Sequence, residues 1–174
     1  MDSRQKRIRL VVGKWALYVL LLMLCAVLQT TPYLFQIGSV KPVFILPLCL
    51  AIAIYEGEFA GSLFGVVGGL MWDYTAGVIV GIFAILLLLL CFGVSLGVQM
   101  YLRCTKFNYF LVCLGATLIA LSTHFMFFYY MPGYQDPWYQ YGTVVVPMAF
   151  YSALFAIPLF MAVRQIAEHI CVIE

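Results

Sequence analysis

The sequence predicts an all-α integral membrane protein with six transmembrane helices, on the basis of its composition, its uncharged runs and the placement of its basic residues. Of the 174 residues, 66% are hydrophobic and 9% are charged, whereas soluble domains carry about 25% charged residues. A helix needs about 20 residues to cross the hydrocarbon core, so a chain of this length suffices for six spans with short connections. We therefore expect a single polytopic membrane domain over residues 1–174.

Uncharged runs between the charged residues define the approximate spans. The second and third runs, 42–55 and 59–72, hold only 14 residues each, a length that would also suit a re-entrant pair. Full spans are favoured because Lys41 can extend towards the headgroups, while Glu56 and Glu58 belong at a turn between the two helices. The predicted spans are 15–35, 42–55, 59–73, 79–101, 107–130 and 142–163.

Basic residues predict the orientation of these spans. With the amino terminus in the cytoplasm, eight basic residues fall on the cytoplasmic side and Lys41 alone falls outside, which is a strong positive-inside bias. An odd number of spans would move Arg164 outside, so the distribution favours an even number and places both termini in the cytoplasm. The formal net charge of +2 gives no reason to expect a nucleic-acid partner. The cytoplasmic set is Arg4, Lys6, Arg7, Arg9, Lys14, Arg103, Lys106 and Arg164.

The sequence lacks the usual motifs for catalysis and metal binding. No two of its six cysteines form a C-x-x-C pair or stand near a histidine at metal-ligand spacing, so we expect them to behave as small apolar residues in helices. A glycine-rich phosphate loop and an H-E-x-x-H helix are also missing. The sequence therefore predicts no catalytic residue, no metal site and no cofactor. The cysteines are Cys25, Cys49, Cys91, Cys104, Cys113 and Cys171.

A row of glycines makes the third span the most informative segment. Its members recur every four residues and Asp73 continues the row, so on a helix they share one face. Such a face forms a groove that lets a neighbouring backbone approach closely, whether that backbone belongs to the same chain or to another subunit. Packing within the chain is favoured, because glycine is common in transmembrane helices. The row consists of Gly57, Gly61, Gly65 and Gly69, and Gly68 lies beside it and widens the groove.

Asp73 lies near the outer end of the predicted third span. An acidic side chain in or beside the hydrocarbon layer is costly, which makes Asp73 a candidate functional polar residue. The residues that follow, Tyr74 to Gly77, also allow Asp73 to sit at the interface and cap the turn into the fourth helix. The sequence supports both interpretations equally.

His124 is the one histidine within a predicted span. It lies about one to two turns from the outer end of the fifth helix, so it could reach the level of Asp73. A hydrogen-bonded interior histidine is favoured over a proton relay or a ligand, because one histidine and one aspartate make neither a metal site nor a nucleophile system.

Several features between residues 40 and 85 occur together in a known family. They are Pro42 at the start of the second span, a short turn at 55–59, the pattern Gly61-x-x-x-Gly65-x-x-x-Gly69-x-x-x-Asp73, and Gly81 in the next helix. In these features the chain resembles the family of rod shape-determining protein MreD, a bacterial membrane subunit of the machinery for lateral cell-wall elongation. Val43 departs from the pattern, since many members carry an acidic residue after the proline.

The resemblance implies a non-enzymatic subunit of the rod complex in the bacterial cytoplasmic membrane. Such a subunit supports cell shape and lateral peptidoglycan synthesis by binding partners, among them an MreC-like bitopic membrane protein, in an assembly with MreB filaments and peptidoglycan synthases. Membrane lipid is the other expected contact.

The same family resembles the substrate-binding subunits of energy-coupling-factor vitamin transporters, which supplies a rival function. A vitamin binder needs a polar pocket near the outer face, for which Asp73, His124, Asp136 and the tyrosines are available. The spans hold too few polar residues for a ligand with several hydrogen-bonding groups, so this remains the alternative. A membrane enzyme acting on a lipid-linked substrate is disfavoured, because the sequence has no clustered acids and no basic phosphate clamp.

Overall fold

A computed structural model describes residues 3–31, 40–76, 81–101, 105–131 and 137–171, and this part of the chain is helical without a β-strand. It forms six helices. They are α1 (Ser3–Thr30), α2 (Ile45–Glu56), α3 (Glu58–Ala76), α4 (Ile82–Tyr101), α5 (Lys106–Phe125, extended by the π-turn Met126–Tyr130) and α6 (Pro137–Gln140, the π-turn Tyr141–Val145 and Val146–Cys171).

The helices extend beyond most of the predicted spans. Helix α1 begins at Ser3 rather than at residue 15, because lysine and arginine are good helix formers and carry the helix past the apolar stretch. Helix α6 likewise exceeds the predicted span 142–163 at both ends. Residues 32–35 and 79–80 of the first and fourth predicted spans lie outside the described residues.

Four helices of the described part are long and apolar enough to cross a membrane. Helix α2 is not among them, because its 12 residues extend for about 18 Å, well short of the roughly 30 Å of a hydrocarbon core. Helix α3 has 19 residues, but its glycines and two carboxylates lower its mean hydropathy. The four candidate spans are Arg9–Thr30, Ile82–Met100, Phe107–Phe125 and Trp138–Glu168.

Successive helices alternate in direction, so the bundle has two ends, which we name by an acidic residue at each. At the Glu56 end, Nζ of Lys14 in α1 lies 2.6 Å from Oε2 of Glu56 at the end of α2. At the Asp73 end, the carboxylate of Asp73 in α3 accepts a hydrogen bond from the backbone N–H of Gly81, just before α4. These contacts fix α1 and α2 at one end, and α3 and α4 at the other.

Helix α2 forms the centre of the bundle. Nine consecutive residues, Ile45–Ala53, are buried, as expected for a helix that is hydrophobic on every side. Helix α1 is peripheral, since it buries only a narrow stripe of Tyr18, Leu22 and Cys25. The chain therefore surrounds its shortest helix with longer ones.

Candidate functional site: the glycine face of helix α3 and the two ends of the bundle

Two glycines of α3 pack directly against α2. A Cβ atom added to Gly61 would overlap the Cα and Cβ atoms of Ala53. A Cβ atom added to Gly68 would lie 2.7 Å from Cγ2 of Ile45 and 2.9 Å from Sγ of Cys49. Helix α2 therefore approaches this side of α3 so closely that only hydrogen fits at Gly61.

Two other glycines of α3 pack against α4. A Cβ atom added to Gly69 would lie 2.5 Å from the Cα of Ala84 and 2.6 Å from the carbonyl oxygen of Phe83. At Gly65 it would lie 3.0 Å from the carbonyl oxygen of Leu87. The backbones of α3 and α4 thus meet through this pair of glycines.

The glycine face is therefore occupied by helices of the same chain, and several large apolar side chains of α3 are exposed on its other side. Leu63, Val67 and Leu70 are 65%, 41% and 42% exposed, respectively, while the packing glycines are buried. The face receives two helices, α2 and α4, at alternating glycines. Gly57 is not part of it: it lies in the turn between α2 and α3 with a φ of +91°, a conformation that favours glycine.

The carboxylate of Asp73 lies at the amino-terminal end of α4. Its oxygens accept hydrogen bonds from the backbone N–H groups of Gly81 at 2.8 Å, Phe83 at 3.2 Å and Ala84 at 3.3 Å. The first N–H groups of a helix have no partner within the helix, and its positive dipole end favours an anion. Asp73 is only 3% exposed, so a capping bond from α3 to α4 is the arrangement that its surroundings provide.

His124 lies at the same level as Asp73, and Phe83 connects the two. The Phe83 ring is stacked on Trp72 with a centroid distance of 4.7 Å, and it also contacts the ring of His124 at 5.5 Å. The backbone N–H of Phe83 is one of the donors to Asp73. His124 is half-buried and therefore belongs to the packing of α4 against α5 at this end.

The amino-terminal end of α2 is capped by side chains from two distant helices, which sequence reasoning missed. Oε1 of Gln29 in α1 accepts the backbone N–H groups of Phe44 and Ile45, both at 3.2 Å. Oγ of Ser152 in α6 accepts the N–H of Val43 at 2.9 Å. A helix that begins inside a membrane protein needs such partners, because lipid offers none to its free N–H groups.

At the Glu56 end, the carboxylate of Glu56 has two partners. Both were missed by sequence reasoning, which placed Glu56 only at a turn. One oxygen of Glu56 pairs with Lys14 at 2.6 Å and the other accepts the hydroxyl of Tyr18 at 2.7 Å. The signal in the sequence is the spacing of Lys14 and Tyr18, four residues apart on one helix face. Oε2 of Glu58 accepts a hydrogen bond from Nε2 of Gln99 in α4 at 2.9 Å.

The buried polar side chains of the described residues all bond to backbone groups. Asp73 and Ser152 accept from N–H groups, while Ser95 donates to the carbonyl oxygen of Ala53, and Thr117 to that of Cys113. Close glycine contacts and side-chain caps thus hold the helices together. This construction defines a polytopic helical membrane protein in which the interior serves packing.

Comparison with known families identifies the group to which this chain belongs. The family described as rod shape-determining protein MreD matches residues 10–170 of the 174-residue chain. The chain is therefore a member of the MreD family, as its glycine row suggested. Comparisons with curated proteins and with solved structures gave no match, so the similarity to vitamin-transporter subunits has no support.

Proposed function

We propose that this chain is a non-enzymatic membrane subunit of the bacterial rod complex, which supports cell shape and lateral peptidoglycan synthesis by binding partner proteins such as an MreC-like bitopic protein. The family match over residues 10–170 carries this proposal. The buried polar groups fit it, because Asp73, Ser95 and Ser152 each bond to a backbone group of another segment and so fix helices to one another.

We place the partner contact on the outward face of α1. Because α2 and α4 occupy the glycine face of α3, a partner must use a surface that the chain leaves open. Helix α1 is the least covered candidate span: 17% of its apolar stretch is buried within the chain, compared with 28–33% in the other three. Val12, Leu20 and Val27 are 61–62% exposed and share one side of α1, which suits the single helix of a bitopic protein.

Depletion in a rod-shaped bacterium tests the cellular role. We expect rounded, swollen cells with normal vitamin uptake, because the loss affects wall elongation. Cells that stay rod-shaped would contradict the proposal, and a new vitamin requirement would favour the transporter alternative.

Co-purification with a tagged MreC-like protein tests the contact surface. Leu20→Trp should lower recovery of the partner while the thermal unfolding temperature in detergent stays unchanged, because the side chain is 62% exposed. Leu89→Trp on α4 is the matched control, since Leu89 is 61% exposed on another helix. Equal recovery with both variants would remove α1 from the interface without affecting the depletion result.

We also propose that the Glu56 end faces the cytoplasm, together with both termini. Lys14 lies at this end, and Arg164 follows Phe160, whose ring contacts Tyr55 near the end of α2. Lys41 lies at the opposite end, where the positive-inside rule expects few basic residues.

Cysteine labelling can test this orientation. Cys25, Cys49, Cys91 and Cys113 are buried and can stay, while Cys104 and Cys171 are replaced by serine. A membrane-impermeant maleimide added to whole cells should label Tyr139→Cys, and Gln165→Cys only after the membrane is opened. Labelling of both from the same side would refute the orientation.

A further inference from the structure

A cavity of about 530 Å³ lies at the Asp73 end, between the end of α1, the segment before α2, the end of α3 and the start of α6. Its volume falls within the roughly 300–1,000 Å³ of small-molecule sites. Among the described residues that line it, Lys41 carries the only charge, and Gln29, Trp72 and Tyr74 add polar atoms to its wall. The cavity therefore offers a single cation in a polar and aromatic surrounding.

The ammonium group of Lys41 is held in place but is not neutralised. Its Nζ donates to the carbonyl oxygen of Thr31 at 2.7 Å, which leaves two of its three N–H donors for another acceptor. Within the described part of the chain, no carboxylate forms an ion pair with it. In the sequence Asp73 lies between the lining residues Trp72 and Tyr74. Its carboxylate, however, accepts hydrogen bonds from backbone N–H groups at the start of α4 and does not pair with Lys41. The cavity thus favours an anion.

An apolar groove of about 430 Å³ continues from this cavity. It lies between α1 and α3, where Met23, Ala26 and Leu70 contribute to its walls. Thr30, Tyr74 and Thr75 line both the cavity and the groove, so the two lie side by side. A polar compartment with a cation is therefore joined to an apolar compartment that follows the helix axes.

We propose that this surface binds one anionic phospholipid, with its phosphate against Lys41 and an acyl chain between α1 and α3. Only an amphiphile matches both compartments. Free phosphate would leave the groove unfilled, and a zwitterionic lipid would bring its own cation close to Lys41. The proposal does not depend on the rod complex, because all of its elements belong to this chain.

Binding of fluorescent lipids to the full chain in a neutral detergent tests the assignment. Phosphatidylglycerol should bind about fivefold more tightly than phosphatidylcholine with the same acyl chains, as expected for one basic side chain near an anionic headgroup. Lys41→Gln should remove this preference and Lys41→Arg should keep it. Arg164→Gln, at the opposite end of the bundle, is the matched control and should leave the preference intact.

A second pair of variants tests the groove. Ala26→Phe should weaken the binding of both lipids because it fills the acyl-chain compartment, whereas Ala16→Phe, on an exposed part of α1, should not. Thermal unfolding of each variant shows whether the fold is kept. If Lys41→Gln unfolds, the single variants Lys41→Arg and Ala26→Phe still test whether the lipid binds at this surface. Equal binding of both lipids by the wild-type chain would overturn the proposal. The proposal would also be overturned if inorganic phosphate displaced phosphatidylglycerol and Ala26→Phe left the binding of both lipids unchanged.

Discussion

Helices α3 and α1 attach to the rest of the chain in opposite ways. Helix α3 meets α2 and α4 through glycines, so backbone lies on backbone and only a hydrogen atom separates them at Gly61. Helix α1 uses large side chains: Trp15 is stacked on Phe64 with a centroid distance of 5.9 Å, and Tyr18 meets the same ring edge to face at 6.1 Å.

This difference determines how each helix tolerates substitution. A Cβ atom added where two backbones touch cannot avoid the contact by a change of rotamer. The two helices must therefore separate and lose their dispersion contacts. A side chain removed from α1 leaves space that its neighbours or lipid can fill in part. We therefore expect the largest effects in α3 and the smallest in α1.

The largest effect is expected for alanine at Gly61 or Gly69. Both residues face backbone atoms of the neighbouring helix, so even one methyl group should lower stability by about 1–3 kcal/mol or more. Gly65→Ala should be milder, because the added atom would lie 3.0 Å from its nearest neighbour. Thermal unfolding in detergent measures the series, and leucine should be worse than alanine at each position.

The control for this series is Gly93→Ala in α4. Gly93 has no atom within 4 Å of an added Cβ, and alanine favours a helix over glycine by about 0.5–1 kcal/mol, so this change should be neutral or stabilising. Val67→Leu, on the exposed side of α3, is a second control and should change stability little. A Gly65→Leu, Gly69→Leu double variant of wild-type stability would refute the packing role of the row.

An intermediate effect is expected at Asp73, which joins α3 to α4 by polar contacts. Asp73→Leu leaves N–H groups at the start of α4 without their acceptor, and a buried donor left without a partner costs about 1–3 kcal/mol. Asp73→Asn should lose about 1 kcal/mol, since the amide oxygen can still accept from Gly81 and Ala84, whereas the bond from Phe83 and the charge are lost.

Measuring unfolding and cell shape together separates the two interpretations of Asp73. If Asp73 serves only as a cap, expression of the Asp73→Asn variant should restore rod shape in cells depleted of the wild-type chain. Round cells with normal amounts of stable Asp73→Asn protein would show that the charge itself is required.

The glycine row was predictable because its signal is local. Residues four apart share a helix face whatever surrounds them, so close packing at Gly61, Gly65 and Gly69 follows from spacing alone. Gly57 was misplaced because the same spacing continues through a turn, and nothing in the row shows that α2 ends at Glu56. Which helix fills each position depends on the arrangement of distant segments, which the spacing does not encode.

The caps of α2 were not predictable for a related reason. The first N–H groups of the second span need acceptors wherever the helix begins, but the pattern of that span does not show which distant side chains supply them. Gln29 and Ser152 gain their roles only when α1 and α6 lie beside that start.

The smallest effect is expected in α1, at the hydroxyl of Tyr18. Tyr18→Phe keeps the ring against Phe64 and removes one hydrogen bond to Glu56, so stability should fall by about 1 kcal/mol. Tyr139→Phe, at a side chain that is 75% exposed, is the control and should change nothing.

A double-mutant cycle with Glu56→Ala isolates this bond from the other contacts of Tyr18. If Tyr18 acts through Glu56, the two losses measured by unfolding in detergent should add to more than the loss of the double variant, because both changes remove the same interaction. Strictly additive losses would mean that the hydroxyl of Tyr18 does not act through Glu56. A Tyr18→Phe loss as large as that of Gly61→Ala would contradict the contrast between the two helices, since a side-chain contact would then matter as much as a backbone one.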